Sequence, residues 1–173
     1  MITSVPVSVF GNVYSSLSLV QGTSGDLAAL GATLGSIAQV PNTGKLVMLV
    51  QFKATSTYLS GTLAAADGSA MKFTSDPVAS SANYIVDAVT TAGDFMIGCN
   101  DNSSTTVPKG YYFWITIKGP AQILCTTTIA AFTQVAPGAT AGQLSAYTSS
   151  YGSGNIQTMA SSGSGGKTDC FIY

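Results

Sequence analysis

The apolar runs of this chain are short and are closed by turn-forming residues. Two of the longest, residues 45–52 (KLVMLVQF) and 121–125 (AQILC), have the length of β-strands and fall far below the roughly 20 residues of a membrane-spanning helix. Pro41-Asn42-Thr43-Gly44 precedes the first, and Gly119-Pro120 precedes the second. No segment carries a long 3.6-residue repeat, and no internal repeat stands out. The expected fold is all-β, mainly an antiparallel sandwich or a barrel-like arrangement.

The ionisable groups narrow the chemistry further. There are six Lys and seven Asp but no histidine, arginine or glutamate, and only 8% of the 173 residues are charged. Histidine titrates near neutrality, arginine clamps carboxylates and phosphates, and glutamate serves many hydrolases as general acid. A chain lacking all three is expected not to be an enzyme. A net charge of −1 from scattered lysines leaves no basic patch for phosphates, so no nucleic-acid partner is expected. The mean hydropathy of +0.36 is too apolar for disorder, and the polarity present comes from uncharged Ser, Thr, Asn, Gln and Gly. No membrane partner is expected, and the N-terminus lacks the pattern of a secretory signal, which points to assembly in a cytoplasm.

Along the chain, residues 2–20 alternate apolar and polar, with Val5, Val7 and Val9 in step, but Pro6 cannot donate to a ladder. Residues 1–22 are therefore expected to form an edge strand or arm, followed by one β-rich domain over 23–173, with residues 109–173 as a possible second lobe. Leu27, Leu30, Leu34 and Ile37 have helical spacing, interrupted by Gly31 and Gly35, so at most one short helix is expected near residues 26–39, with a glycine-rich loop as the alternative. Further strands are expected in 57–66, 71–73, 83–89 and 95–99, with an exposed polar loop over 100–107. Residues 111–118 and 121–127 read as two strands joined at Gly119-Pro120. Residues 134–143 (QVAPGATAGQ) read as a turn region and 145–155 as a mobile loop. A closing hairpin is expected from 156–160 and 169–173, its apolar end packed in a sheet.

Each residue type with possible chemistry has a plainer reading. Cys99, Cys125 and Cys170 lack metal-ligand or redox spacing and read as buried apolar residues. Asp94, Asp101, Asn100 and Asn102 cluster loosely without a calcium-loop pattern, so no metal and no cofactor is expected. Asp87 and Asp94 have no sign of forming a catalytic carboxylate pair, and no motif places a serine nucleophile. Trp114, flanked by Phe113 and Ile115, reads as a core or subunit-contact residue rather than a sugar platform. The candidate structural or subunit-contact residues are Pro6, Tyr112, Trp114, Gly119, Pro120, Phe171 and Tyr173.

The order of pieces in residues 109–173 carries a resemblance. An aromatic strand reading G-Y-x-x-W-I-x-I-K-G-P-A, a Thr/Ala-rich segment, A-P-G-A-T-A-G and a terminal hairpin resemble the small head-surface proteins of tailed bacteriophages. The fitting residues are Tyr112, Trp114, Lys118, Gly119, Pro120, Ala139, Thr140, Ala141 and Gly142. Unlike many such proteins, this chain has no glutamate in its terminal hairpin. The resemblance implies a decoration or cement protein that binds the major capsid protein from outside, as a homotrimer, and resides in the virion. The alternative from another class is a carbohydrate-binding or adhesive β-module displaying Tyr147, Tyr151 and a serine-rich loop. A major shell subunit is disfavoured by the small size and by the lack of a long helix.

Overall fold

The structure is a computed structural model, and the residues it describes are 34–52, 64–74, 84–101, 107–148, 155–163 and 165–173. In chain order the strands are β1 (Ile37–Gln39), β2 (Leu46–Phe52), β3 (Ala64–Ala65), β4 (Ala70–Phe73), β5 (Ile85–Ala88) and β6 (Gly98–Cys99). They continue with β7 (Val107–Pro108), β8 (Tyr112–Leu124), β9 (Gln134–Pro137), β10 (Leu144–Ala146), β11 (Ile156–Thr158) and β12 (Lys167–Ile172). No helix occurs among the described residues, so the all-β expectation holds.

The run KLVMLVQF forms β2, and its unbroken apolarity has a direct cause: both faces are covered. Met48, Val50 and Phe52 point into one core, while Val47 and Leu49 pack on the other side with Tyr112 and Trp114. β2 pairs antiparallel with β8 and parallel with β5; β4 joins β5 to β6, and β6 returns to β8 at Cys99 opposite Thr116. The five strands β2, β5, β4, β6 and β8 thus close a barrel, which removes their free edges. Its interior holds Phe52 and Phe113 edge to face, with ring centroids 6.2 Å apart, beside Met71, Val86 and Ile115.

β8 is one strand of 13 residues, not two strands joined by a turn at Gly119-Pro120. Gly119 adopts φ +97° and a Cβ there would lie 2.6 Å from the Gly44 carbonyl oxygen, so only glycine lets the two backbones approach. The positive φ bends the strand at the point where the register with β2 shifts between Leu46 and Val47, and the chain runs on because a new partner takes over. Before the bend β8 pairs with β2; from Gly119 to Leu124 it pairs with β12.

The second half of β8 opens a second sheet, in the order β8, β12, β11, β9, β10. This sheet curls back on itself: Cys125 forms a parallel bridge with Leu144, and the Thr126 N–H donates to the Leu144 carbonyl at 2.8 Å. Its inner face carries Ala121, Ile123, Val135, Ile156, Cys170 and Ile172, which form one core with Ala70, Val89 and Cys99 from the barrel. The terminal hairpin is present as β11 and β12.

Two local expectations are corrected. Residues 134–137 of the supposed turn region are a strand, because Val135, Ala136 and Pro137 are buried between β11 and β10. The turn proper is 138–143, and its Gly142 is docked into the barrel by the Ala70 N–H to Gly142 carbonyl and Gly142 N–H to Val89 carbonyl bonds, both 2.8 Å. Asn100 is not in an exposed loop: it is fully buried, donating its side-chain amide to the Ala66 carbonyl at 3.1 Å. Of residues 26–39, for which at most one short helix or a glycine-rich loop was expected, 26–33 lie outside the described residues; residues 34 and 35 form a turn, with Gly35 at φ +83°, and residues 37–39 form β1. The arm at 1–22 with Pro6, residues 26–33, 57–63 and 149–154 with Tyr151 lie outside the described residues.

Candidate functional site

Tyr112 and Trp114 are 7% and 4% exposed, packed on Val47 and Leu49 under Leu34, Ala38 and Val40. Neither offers a face to a sugar. Gly119 bends β8, and Pro120 sits one residue beyond it with its side exposed. Phe171 and Tyr173 lie elsewhere, on the outer face of the second sheet, where Phe171 is half-buried and Tyr173 is 64% exposed.

Strand alternation builds that outer face. In β12 Thr168, Cys170 and Ile172 point inward, so Lys167, Asp169, Phe171 and then Tyr173 point outward. The register aligns one residue from each neighbour: Pro120 lies opposite Phe171, Phe171 opposite Gln157, and Gln157 opposite Gln134. Tyr147 completes the row, its N–H donating to the Gln134 carbonyl at 2.8 Å. A band of flat rings and side-chain amides therefore crosses all five strands of the sheet.

Hydrogen bonds hold these side chains in place. The Tyr173 hydroxyl donates to Gln157 Oε1 at 2.8 Å, and Gln157 Nε2 donates to the Phe132 carbonyl at 3.1 Å. Gln122 Nε2 donates to Asp169 Oδ1 at 3.1 Å, while the Phe171 and Tyr173 rings lie 5.2 Å apart at 52°. Beneath the face, the buried Thr158 hydroxyl donates to the Ala130 carbonyl at 2.8 Å and accepts from the Thr133 N–H at 2.9 Å. These bonds fix residues 130–133, and with them Phe132, whose N–H donates to the Thr158 carbonyl at 2.8 Å. Phe132 has φ +58° and is 67% exposed, a combination that costs free energy in the fold without repaying it in burial.

A small notch of about 50 Å³ borders the same region, lined by Gly93, Asp94, Phe95, Met96, Val135, Pro137, Asn155 and Ile156. Asn155 connects the two features, since its carbonyl accepts from the Tyr173 N–H at 3.0 Å. Asp94 anchors the loop above the notch as a turn residue. Burial opposes its ionisation, but the Lys72 ammonium at 2.8 Å and the N–H groups of Thr90 and Thr91 outweigh this and bring the carboxyl down to about 2.

The remaining reactive groups are sealed. Burial pushes the Cys170 thiol up to about 12, and it raises Cys99 and Cys125 as well. All three sit in the core shared by the barrel and the second sheet. Among the described residues no group of three Cys or Asp side chains is placed to hold a metal ion. The outer face of the second sheet is thus made mainly of apolar and amide groups, with Lys167 paired to Asp67 and Asp169 bonded by Gln122.

No protein-family pattern and no curated protein matches this chain in sequence. In three dimensions the chain is similar to the N base of the head fiber protein gp8.5 of bacteriophage phi29, with a TM-score of 0.50 and 9% identity over 75% of this chain and 94% of that one. At that identity the likeness is one of fold.

Proposed function

We propose that this chain is a structural protein of a tailed-phage head, carried on the outside of the shell, where it binds the major capsid protein and reinforces it. The observation that carries this reading is the fold likeness to a head fiber base, which spans nearly the whole of that neighbour. It joins a resemblance located independently in residues 109–173, where the structure gives the shared residues physical tasks: Gly119 bends β8, and Gly142 docks the turn of the A-T-A-G segment into the barrel. The role is non-catalytic, the chain acts as a homotrimer, and it resides in the virion after assembly in the host cytoplasm.

The energetic basis is linkage. A protein that binds the assembled shell and not its dissociated subunits stabilises the shell by its binding free energy at every copy. Trimers engaging several capsomers add avidity. The test is cryo-EM of the particle together with virions lacking the chain. Density for this fold at the threefold positions between capsomers, with heads that lose resistance to heat and osmotic shock when the chain is missing, is the expected outcome. Heads equally robust without it exclude the cementing role.

A further inference from the structure

We infer that the outer face of the second sheet, the row Pro120, Phe171, Gln157, Gln134 and Tyr147 with Tyr173, Met159 and Phe132 around it, is the surface on which a second copy of this chain docks. The inference rests on the homo-oligomer part of the function proposed above and supplies its location.

Apolar exposure is concentrated there. Among the described residues the exposed large hydrophobic side chains are Ile37, Phe95, Phe132, Tyr147, Met159 and Tyr173, and the last four belong to this face or its border. With Phe132 at 67%, Tyr173 at 64%, Met159 at 46% and Tyr147 at 37% exposure, the four present about 400 Å² of surface, taking roughly 200 Å² for each large side chain. A standard interface buries about 800 Å² on each partner, a little over half of it apolar, so the patch is of the size that a stable self-contact needs.

Charge favours the occupant. Lys167 is paired with Asp67, which leaves the Asp169 carboxylate, bonded by the neutral Gln122 amide, as an isolated charge too small to recruit a strongly charged partner. A second copy of this chain, with 8% charged residues and a net charge of −1, offers an equally charge-poor surface to dock against. The hydrogen bonds among Tyr173, Gln157 and Phe132 also reduce the side-chain freedom lost on docking. The contact is made by side chains, not by strand addition, because β10 at the end of the sheet is bridged to Cys125.

Sedimentation velocity on the full chain from 0.1 to 100 μM (on the order of the range that separates strong from weak self-association) gives the first readout. The variants are Phe132→Asn, which suits a positive φ, and Tyr147→Lys with Tyr173→Lys; Ile37→Ser serves as the control away from the face. An oligomer that Ile37→Ser preserves and that the face variants weaken at least 100-fold, with melting curves still cooperative, is expected. Tyrosine footprinting of the unmodified protein gives a second readout: Tyr147 and Tyr173 become protected as concentration rises. A monomeric wild type, or an oligomer untouched by the face variants with both tyrosines still reactive, overturns the inference. Head binding is scored separately. Face variants that are monomeric yet still coat heads leave both readings standing, whereas an oligomer that forms through this face but ignores heads removes the shell reading alone.

Discussion

The two halves of β8 show how one strand serves two purposes. From Tyr112 to Thr116 every residue is buried, because the barrel covers one face and the Leu34, Ala38 and Val40 segment covers the other. Beyond Gly119 burial alternates: Ala121 and Ile123 face the core, while Pro120 and Gln122 face out. The first half is rich in aromatic and branched apolar residues and the second mixes small, amide and apolar ones, so each composition follows from how many sides are covered. The first half of β8 is packing on both sides, whereas the second half turns one side to a core and the other to solvent.

The largest expected effect breaks the barrel side of this contrast. Phe113→Ala removes a fully buried ring that packs on Phe52 and should cost about 3–5 kcal/mol, read as a fall in the urea midpoint. Phe171→Ala, on the half-buried face of the second sheet, should cost less than about 1.5 kcal/mol. Equal losses would mean that the number of covered sides does not set the difference between these two positions. Gly119→Ala tests the joint between them: the new Cβ meets the Gly44 carbonyl at 2.6 Å and the backbone keeps φ +97°, for a loss of about 2–3 kcal/mol. A midpoint unchanged by this substitution would show that the bend is not fixed by that close approach.

Asp94 supplies a pH-dependent contrast on the loop beside the second sheet. Its folded-state value of about 2 lies below the ordinary 3.8, so its contribution is fully present above pH 3.8 and is lost as pH falls through 2. Its size is on the order of 1 kcal/mol, given partial solvent screening of the Lys72 pair. The urea midpoint should drop between pH 5 and pH 2, and Asp94→Asn should remove that part of the drop. An identical profile in the variant would assign the acid sensitivity to other carboxylates.

Legibility in the sequence followed the same division. KLVMLVQF announces β2 because a strand covered on both faces must be apolar throughout, and the terminal hairpin is marked by its glycine turn. Gly119-Pro120 looks like a chain reversal because glycine and proline often mark one; whether a strand bends or reverses there depends on β2 and β12, which lie far away in sequence. Phe171 and Tyr173 enter the candidate list from the apolar terminus, but Gln134, Gln157 and Phe132, which the structure sets beside them, do not. Their alignment exists only through registers among β9, β11 and β12, and no local signal encodes it. Tyr112 and Trp114, prominent in sequence, proved to be packing residues of the opposite region.

The smallest effect is also the one of opposite sign. Phe132 is held at φ +58° by bonds from Gln157 and to Thr158, so its backbone energy is paid whether or not its ring touches anything. Phe132→Gly removes the clash between Cβ and the following carbonyl and loses little burial, since the ring is 67% exposed. Greater freedom in the unfolded chain offsets part of the gain, leaving a net stabilisation of up to about 1 kcal/mol. A higher urea midpoint for dilute protein, where self-association is absent, is the expected result. A lower one would mean that the ring stabilises the isolated fold, and Phe132 would then belong with the packing residues of the barrel rather than with the contact face.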